Sequence, residues 1–344
     1  MSTTSLAIDL DACMPLMREE MHVALAPDGG QPHAFYGSMR YAVGLADEQL
    51  QPVEVGGGKL LRPRLVLLSC VAAGGDLAMA IPVAAAVELL HNFTLVHDDI
   101  QDNSPQRRHH PSLWNLIGMP LAINAGDAMY ASAHLVLSSL ARRGRDPELV
   151  LHALEEFDQT AITLCEGQHM DISFEMREVV STDEYLAMIE RKTGALMGLS
   201  CYLGALVAGA PSEALRAYRR FGLAAGMSYQ VHDDLAGVWQ EESRTGKREM
   251  EDIYGRKKSF PAMRLFETAS REERDRQLAI YRGSVVDEQD ALWVRDLMTR
   301  LGLHEEGRSR VERFAAEALV ALSESGASGA AADHLYSFAQ GKPW

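Results

Sequence analysis

Two short stretches of this chain concentrate acid where helix chemistry alone gives no reason for it. The first, His97-Asp98-Asp99-Ile100-Gln101-Asp102, closes an apolar run that extends from Ala84 to Val96. On a helix, residues four apart share a face, so Asp98 and Asp102 project together, while Asp99 lies about 100° round the axis. Like charges at that spacing cost a helix roughly 0.2–0.5 kcal/mol, and aspartate is a poor helix former besides. A hard divalent cation is the compensation that suits such a pair: magnesium takes oxygen ligands and bridges one or two carboxylates to a phosphate. The second stretch is an echo, for Val96-His-Asp-Asp99 recurs as Val231-His-Asp-Asp234. Here Gln230 and Asp233 share a face, but the position four beyond Asp233 is Gly237, so this is the weaker metal site. A solvated acidic helix end would explain one such stretch; two copies, each following an apolar helix, argue for chemistry.

Basic residues accompany both stretches. Lys59 and Arg62 follow the glycines at 56–58 and read as one helical turn apart, and Arg107-Arg108 follows the first aspartates. Arg191-Lys192-Thr193 lies mid-chain, and Thr245-Gly-Lys247 and Arg256-Lys257-Lys258 follow the second aspartates. Each alone reads as a solvated surface charge. Together they outline a site for a polyanion bridged by metal, and diphosphate fits, being rich in oxygen and open to bidentate contact by arginine. The three glycines lack the spacing of a nucleotide-binding P-loop.

The elements that must position these residues are helices. Ala, Leu, Met, Glu and Arg recur at intervals of three and four in segments of about 20–30 residues, the lengths of a helical bundle. Asn-Gly hairpin signals are absent, and no Pro/Gly/Ser-rich linker divides the chain, so the 344 residues read as one all-α domain with about the first 30 residues peripheral. The chain carries 33 Lys and Arg against 48 Asp and Glu, a net charge of −15, which disfavours nucleic acid and anionic lipid as partners. Cys13, Cys70, Cys165 and Cys201 lie far apart and read as buried thiols in a reducing compartment. The N-terminus has no signal-peptide pattern, and the longest weakly polar stretch, about 196–210, is short for a membrane span. A cytoplasmic protein is expected.

These motifs, in their order and separations, resemble the trans-polyprenyl diphosphate synthases. The resemblance runs from about Gly57 to about Arg264 by motif. It implies an all-α bundle around a deep central cavity, a homodimer, a requirement for Mg2+, and the condensation of isopentenyl diphosphate with an allylic diphosphate to a linear product. By motif, Lys59, Arg62 and His91, with Gly58, resemble the clamp for isopentenyl diphosphate. Asp98 and Asp102, with Asp99 beside them, resemble the first magnesium ligands. Arg107 corresponds to the residue that holds the allylic diphosphate, and Arg108 to its neighbour on the isopentenyl side. Lys192, Thr193 and Gln230 resemble the groups that stabilise the allylic cation and its leaving group; Asp233 would hold the remaining metal, and Lys247 and Lys257 would complete the allylic diphosphate site. The segment Gly167-Gln168-His169-Met170-Asp171 resembles one that supports the metals. Phe93 and Thr94, five and four residues before Asp98, would set chain length, favouring geranylgeranyl and then farnesyl diphosphate.

Three positions depart from the family pattern. Gly237 stands where a third aspartate is usual, His109 replaces a glycine after the arginine pair, and Arg248-Glu249-Met250 replaces a Pro-Val-Gly-like segment, although Asp252 still matches. Two rival functions share these motifs. A terpene cyclase needs the aspartates yet has no use for Lys59, Arg62 and His91, and a regulatory subunit has no need of an intact metal site.

Overall fold

The computed structural model describes residues 10–26, 34–53, 58–240 and 249–341. The fold is all-α. In chain order the helices are α1 (Leu10–Ala24), α2 (Ala34–Ala42), α3 (Leu61–Ala72), α4 (Leu77–Gln101), α5 (Leu113–Ile117), α6 (Met119–Arg142), α7 (Pro147–Glu175), α8 (Thr182–Ile189), α9 (Ala195–Val207), α10 (Ser212–Trp239), α11 (Glu251–Tyr254), α12 (Phe260–Thr268), α13 (Arg271–Arg282), α14 (Glu288–Arg300), α15 (Leu303–Glu324) and α16 (Gly329–Ala339). Between α8 and α9 one wide π-helical turn spans Glu190–Gly194. Helix starts follow ordinary capping chemistry: the Asp76 carboxylate accepts from the Ala78 amide at 3.0 Å and opens α4, and Asp146 does the same for α7.

Helix α4 is the axis of the bundle. Its residues Ala80 to Leu90 are buried all round, packed among α1, α3, α6 and α9. This corrects the sequence reading, which took 196–210 as the longest apolar stretch. Among the described residues α4 is the one helix long and apolar enough to cross a membrane, and 72% of its most apolar window is buried inside the bundle. A helix apolar on every side is what the centre of a large bundle requires. The other long element, α10, lies along α15 and α9. Where α9 and α10 cross, a side chain on Gly222 would meet the Met197 carbonyl oxygen at 2.3 Å, and one on Gly226 would meet the Gly194 Cα at 2.9 Å, so glycines let these backbones touch. Residues of α10 enter both hydrophobic cores: Phe221 and Ala225 join the core around α3, α4 and α6, and Met227 and Val231 join the one built by α8, α12 and α14. Cys13, Cys70 and Cys201 are buried, but Cys165 on α7 is exposed, contrary to expectation.

The only strands among the described residues form a hairpin that the sequence did not announce. Gln106–Arg107 pairs antiparallel with His110–Pro111, joined by Arg108 and His109. Both loop residues lie in the left-handed region, with φ of 54° and 67°, the geometry of a two-residue turn that normally calls for Asn-Gly. Each non-glycine residue there carries about 1–2 kcal/mol of strain. The hairpin is held from outside: the Tyr41 hydroxyl donates to the Pro111 carbonyl at 2.6 Å, and Ser112 Oγ and Trp114 Nε1 donate to the Ser104 carbonyl. Because His109 is exposed, a His109→Gly substitution should relieve strain without losing packing. Its urea midpoint is expected to rise by the equivalent of roughly 0.5–1 kcal/mol, glycine's chain entropy offsetting part of the gain; a fall in midpoint would show that the imidazole is itself holding the turn.

Candidate active site

The last turns of α4 present charge of opposite sign on two faces. One face carries carboxylates. Asp98 is pushed up to about 6, first by burial and then by Asp102 and Asp171, against the pull of Lys192 and Arg107. Burial and neighbouring acids likewise raise Asp102 and, on α7, Glu175. Against these stands Lys192, whose ammonium donates to Asp171 Oδ2 at 2.6 Å. The approach of α7 to the π-helical turn makes that pair possible: a side chain on Gly167 would meet the Lys192 amide nitrogen at 2.5 Å. Gln168 Nε2 donates to Gln101 Oε1 at 3.0 Å and ties α7 to α4.

Asp99, one residue on, belongs elsewhere. It is buried, and the Arg107 guanidinium grips it through Nε, 2.9 Å from each carboxylate oxygen, and Nη2, 2.7 Å from Oδ1. The sequence reading grouped Asp99 with the reactive carboxylates and gave Arg107 to substrate; the structure joins the two to one another, fixing the hairpin to α4.

The other face of α4 meets cations from α3 and from the hairpin. Arg62 Nη1 lies 3.0 Å from His91 Nε2, and burial, then the positive fields of Arg62, Arg108 and Arg107, hold the imidazole well below its ordinary value. The ring is neutral, and with Nε2 accepting from Arg62 its proton belongs on Nδ1. Arg62 Nε is buried without a hydrogen-bond partner. The Arg108 guanidinium packs on the backbone of Gly58, where a Cβ would sit 2.7 Å from Cζ. The counter-charge among these groups is Glu88, itself raised by burial and held by Asn92 Nδ2 at 2.9 Å. Two arginines, Arg62 half-buried and Arg108 exposed, facing one buried glutamic acid leave excess positive charge that opens to solvent, suited to an anion. Lys59 is exposed and precedes α3, which starts at Leu61 after Leu60 in a left-handed conformation. Lys59 and Arg62 therefore do not share a helical turn.

The second aspartate stretch closes the site from α10. Thr193 Oγ1 donates to Gln230 Oε1 at 3.0 Å, and Gln230 Nε2 donates to Asp234 Oδ1 at 3.0 Å. Asp234, buried, also accepts from the Tyr185 hydroxyl and from the Phe260 amide at 2.8 Å. Asp234 thus anchors Gln230, and Asp233 is the half-buried carboxylate beside it. Lys257 Nζ stands 3.7 Å from Asp234 and 3.6 Å from Asp252. Burial lowers its affinity for a proton, but Asp234, Asp252, Asp233 and Asp171 together raise it further. Asp171 is the link between halves, within electrostatic reach of Asp98 and of Lys257. Lys247 lies outside the described residues.

No three acidic, imidazole or thiol groups among the described residues surround a common point. The donor set fits magnesium in another way: paired, poorly neutralised carboxylates on α4 leave the remaining positions to phosphate oxygens, as this cation prefers. Below Asp98, Phe93 packs against Tyr130 of α6 with ring centroids 5.2 Å apart and against His97 at 4.9 Å; the Thr94 hydroxyl donates to the His91 carbonyl at 2.7 Å. A cavity of about 400 Å3 opens on a different flank of α4, beside Asn92, Leu95, Val96, Arg107 and Arg108. Tyr185, Asp234 and Glu88 are the site residues whose parts sequence reasoning missed.

Residues 46–298 match the family model for polyprenyl synthetase. The chain is 43% identical over 221 residues to (2E,6E)-farnesyl diphosphate synthase of Mycobacterium tuberculosis, a match covering 64% of this chain and 60% of that protein's length. It is 37% identical over 274 residues to the short chain isoprenyl diphosphate synthase of Methanothermobacter thermautotrophicus, covering 79% of this chain and 82% of that one. The polyprenyl synthetase of Streptomyces coelicolor A3(2) superposes with a TM-score of 0.87 at 30% identity, over 98% of this chain and 100% of that structure.

The raised Asp98 carboxyl makes a prediction about stability without metal. Its folded-state value near 6 exceeds the usual 3.8. The folded state therefore holds its proton more tightly, and ionisation costs stability as pH rises through that interval. In EDTA, Asp98→Asn should be more stable than the parent at pH 7.5, by about 1–2 kcal/mol, and no more stable at pH 3.5. Equal gains at both pH values in chemical denaturation would mean that the carboxylate is not under electrostatic load.

Proposed function

The chain belongs to the polyprenyl synthetase family, and we propose that it is a prenyltransferase that joins isopentenyl diphosphate to an allylic diphosphate and releases a linear trans-polyprenyl diphosphate. The observation that carries this reading is the pair of charged faces about α4: a cationic clamp of half-buried Arg62 and exposed Arg108 beside His91, and a carboxylate face of Asp98 and Asp102 turned toward Asp171 of α7 and Lys192 of the π-helical turn. Two diphosphates need two separate anion sites. A cyclase that ionises one diphosphate has no use for the clamp.

In this reading Asp98, Asp102 and Asp233 would hold magnesium beside the allylic diphosphate, and the metal when bound would supply Lewis acidity that neutralises charge on the leaving group. Lys192 and Lys257 add positive charge on the same diphosphate, and Arg62, Arg108 and Lys59 bind that of isopentenyl diphosphate. Arg107 reaches the allylic diphosphate from its seat on Asp99. The carbonyl dipoles of the π-helical turn and Gln230, oriented by Thr193 and Asp234, stabilise the allylic cation as the C–O bond breaks. The double bond of isopentenyl diphosphate attacks that cation, and the released diphosphate takes the proton lost from the adduct. His91, bonded to Arg62, completes the isopentenyl diphosphate clamp, and apolar side chains of α4 keep water from the cation.

Phe93 limits product length, supporting geranylgeranyl and then farnesyl diphosphate as product. A homodimer is supported by large apolar side chains exposed on neighbouring helices, Leu121 and Leu135 on α6, Leu151 and Ile162 on α7. With the one span-length helix among the described residues mostly buried in the bundle, a soluble, cytoplasmic enzyme is the reading this supports.

Incubation of the purified protein with both diphosphates and magnesium should yield a longer linear diphosphate, with turnover lost in EDTA and in Asp98→Ala. A hydrocarbon from the allylic substrate alone would indicate a cyclase, and no turnover a regulatory subunit. Phe93→Ala should lengthen the product as resolved by chromatography of the dephosphorylated alcohols; an unchanged distribution would leave that ring as packing in the Tyr130 cluster.

A further inference from the structure

Of the three consecutive cations Arg256-Lys257-Lys258, only Lys257 has a part in the proposed reaction. The structure sends the three in different directions. Helix α11 ends in a turn closed by two bonds, from the Arg256 amide to the Ile253 carbonyl at 2.9 Å and from the Lys257 amide to the Asp252 carbonyl at 2.8 Å. Arg256 takes the left-handed position of that turn, with φ of 52°, where glycine is usual, and its Nη1 donates to the Gly283 carbonyl just beyond α13. The Lys257 ammonium lies 3.7 Å from Asp234 and 3.6 Å from Asp252. The Lys258 ammonium instead donates to the carbonyls of Phe174 and Arg177, at and just past the C-terminus of α7. We propose that Lys258 is a positioning residue, which by capping α7 holds the carboxylates of that helix at a set distance from the Lys257 ammonium and so tunes the affinity for the allylic diphosphate. The inference rests on the proposed reading of the site as a magnesium–diphosphate site.

The last carbonyls of a helix have no partners within it and carry negative partial charge, so an ammonium there is favoured both as donor and as cation. Lys258 is half-buried. Burial and then Arg177 weaken its hold on the proton, and Glu175 strengthens it. Glu175 is itself raised by burial, Asp102 and Asp171 and lowered by Lys258 and Lys192, so the Lys258 charge reaches the acidic side of α7 that faces α4. That side matters to Lys257, because Asp171 lies within its electrostatic reach. Two residues beyond Lys258 the chain is tied to α10, where the Phe260 amide donates to Asp234 Oδ2 at 2.8 Å. Lys258 thus joins the α10 side of the site to the end of α7. Phe174 packs in the core built by α8, α12 and α14, which holds that end of α7 folded without the cap. The cap therefore bears on placement.

The test measures binding of inorganic pyrophosphate to the full-length protein in excess magnesium by calorimetry, together with KM for each diphosphate substrate. Lys258→Met keeps most of the stem and removes the charge. It should melt near the parent and bind magnesium pyrophosphate about 10-fold more weakly, the cost of losing a group that supports a metal site. KM for the allylic diphosphate should rise with it, while KM for isopentenyl diphosphate, whose clamp lies across α4, stays at the parent's value. Lys258→Arg, which keeps the charge, should recover the affinity. If Lys258→Met does not fold, Lys258→Gln decides by the same readings, since its amide is shorter and neutral. Pyrophosphate affinity at the parent's value in whichever of the two folds, or an equal rise in both KM values, overturns the proposal. A parent protein that binds no pyrophosphate in magnesium would remove the functional reading and this proposal with it, an outcome distinct from both.

Discussion

Charge left poorly neutralised where packed helices end is what the rest of this molecule is arranged around. Asp98 with Asp102 and Arg62 with Arg108 flank the same helix, close enough to serve one reaction, yet they do not cancel each other. Such groups are expensive to bury, and the bundle meets the expense with backbone rigidity. α4 is enclosed on every side from Ala80 to Leu90, so its last turns cannot tilt to relieve the repulsion. Asp99 and Arg107, which do cancel, bolt the hairpin to the helix and fix where Arg108 begins. The left-handed turn at Arg108 and His109 is a second local cost, accepted where it lays a guanidinium on the bare backbone of Gly58.

The opposite wall follows a similar logic with a different device. Asp234 accepts from a tyrosine, an amide side chain and a backbone amide, and so becomes the fixed point from which Gln230 and Thr193 take their orientation. A wide π-helical turn puts Lys192 and Thr193 out of the regular helical register, and bare glycines at 167, 194 and 226 let three helices meet there. Fully satisfied polar networks of this kind rigidify a site, and catalysis by preorganised charge needs that rigidity. Asp171 and Lys192 join the two walls, one acid and one base serving both.

How far this was legible in the sequence depends on whether a residue's role came from its own helix. Asp98 and Asp102 could be paired by spacing because one helix determines both directions. The repeat of Val-His-Asp-Asp marked the second wall for the same reason. Asp234, by contrast, looks in sequence like a spare neighbour of Asp233, and only Tyr185 and Phe260, from two other helices, make it an anchor. Glu88 sits in an apolar run with nothing nearby in sequence to say that it opposes Arg62. The hairpin was missed because its turn uses Arg-His where turn chemistry asks for Asn-Gly, the strain being compensated by contacts from Tyr41, Ser112 and Trp114. Lys59 and Arg62 were read as one turn of helix, which the left-handed Leu60 breaks.

Periodicity, composition and motif order, properties carried along one chain direction, were enough for the helical class, for the two acidic stretches and for the cations that accompany them. Which carboxylate is left under electrostatic load and which is paired was decided only when separate helices met. Burial raises Asp98, while a guanidinium from the hairpin quenches Asp99, one residue away and identical in chemistry. The physical reason is that a side chain's charge state is set by neighbours brought to it from other elements of the fold.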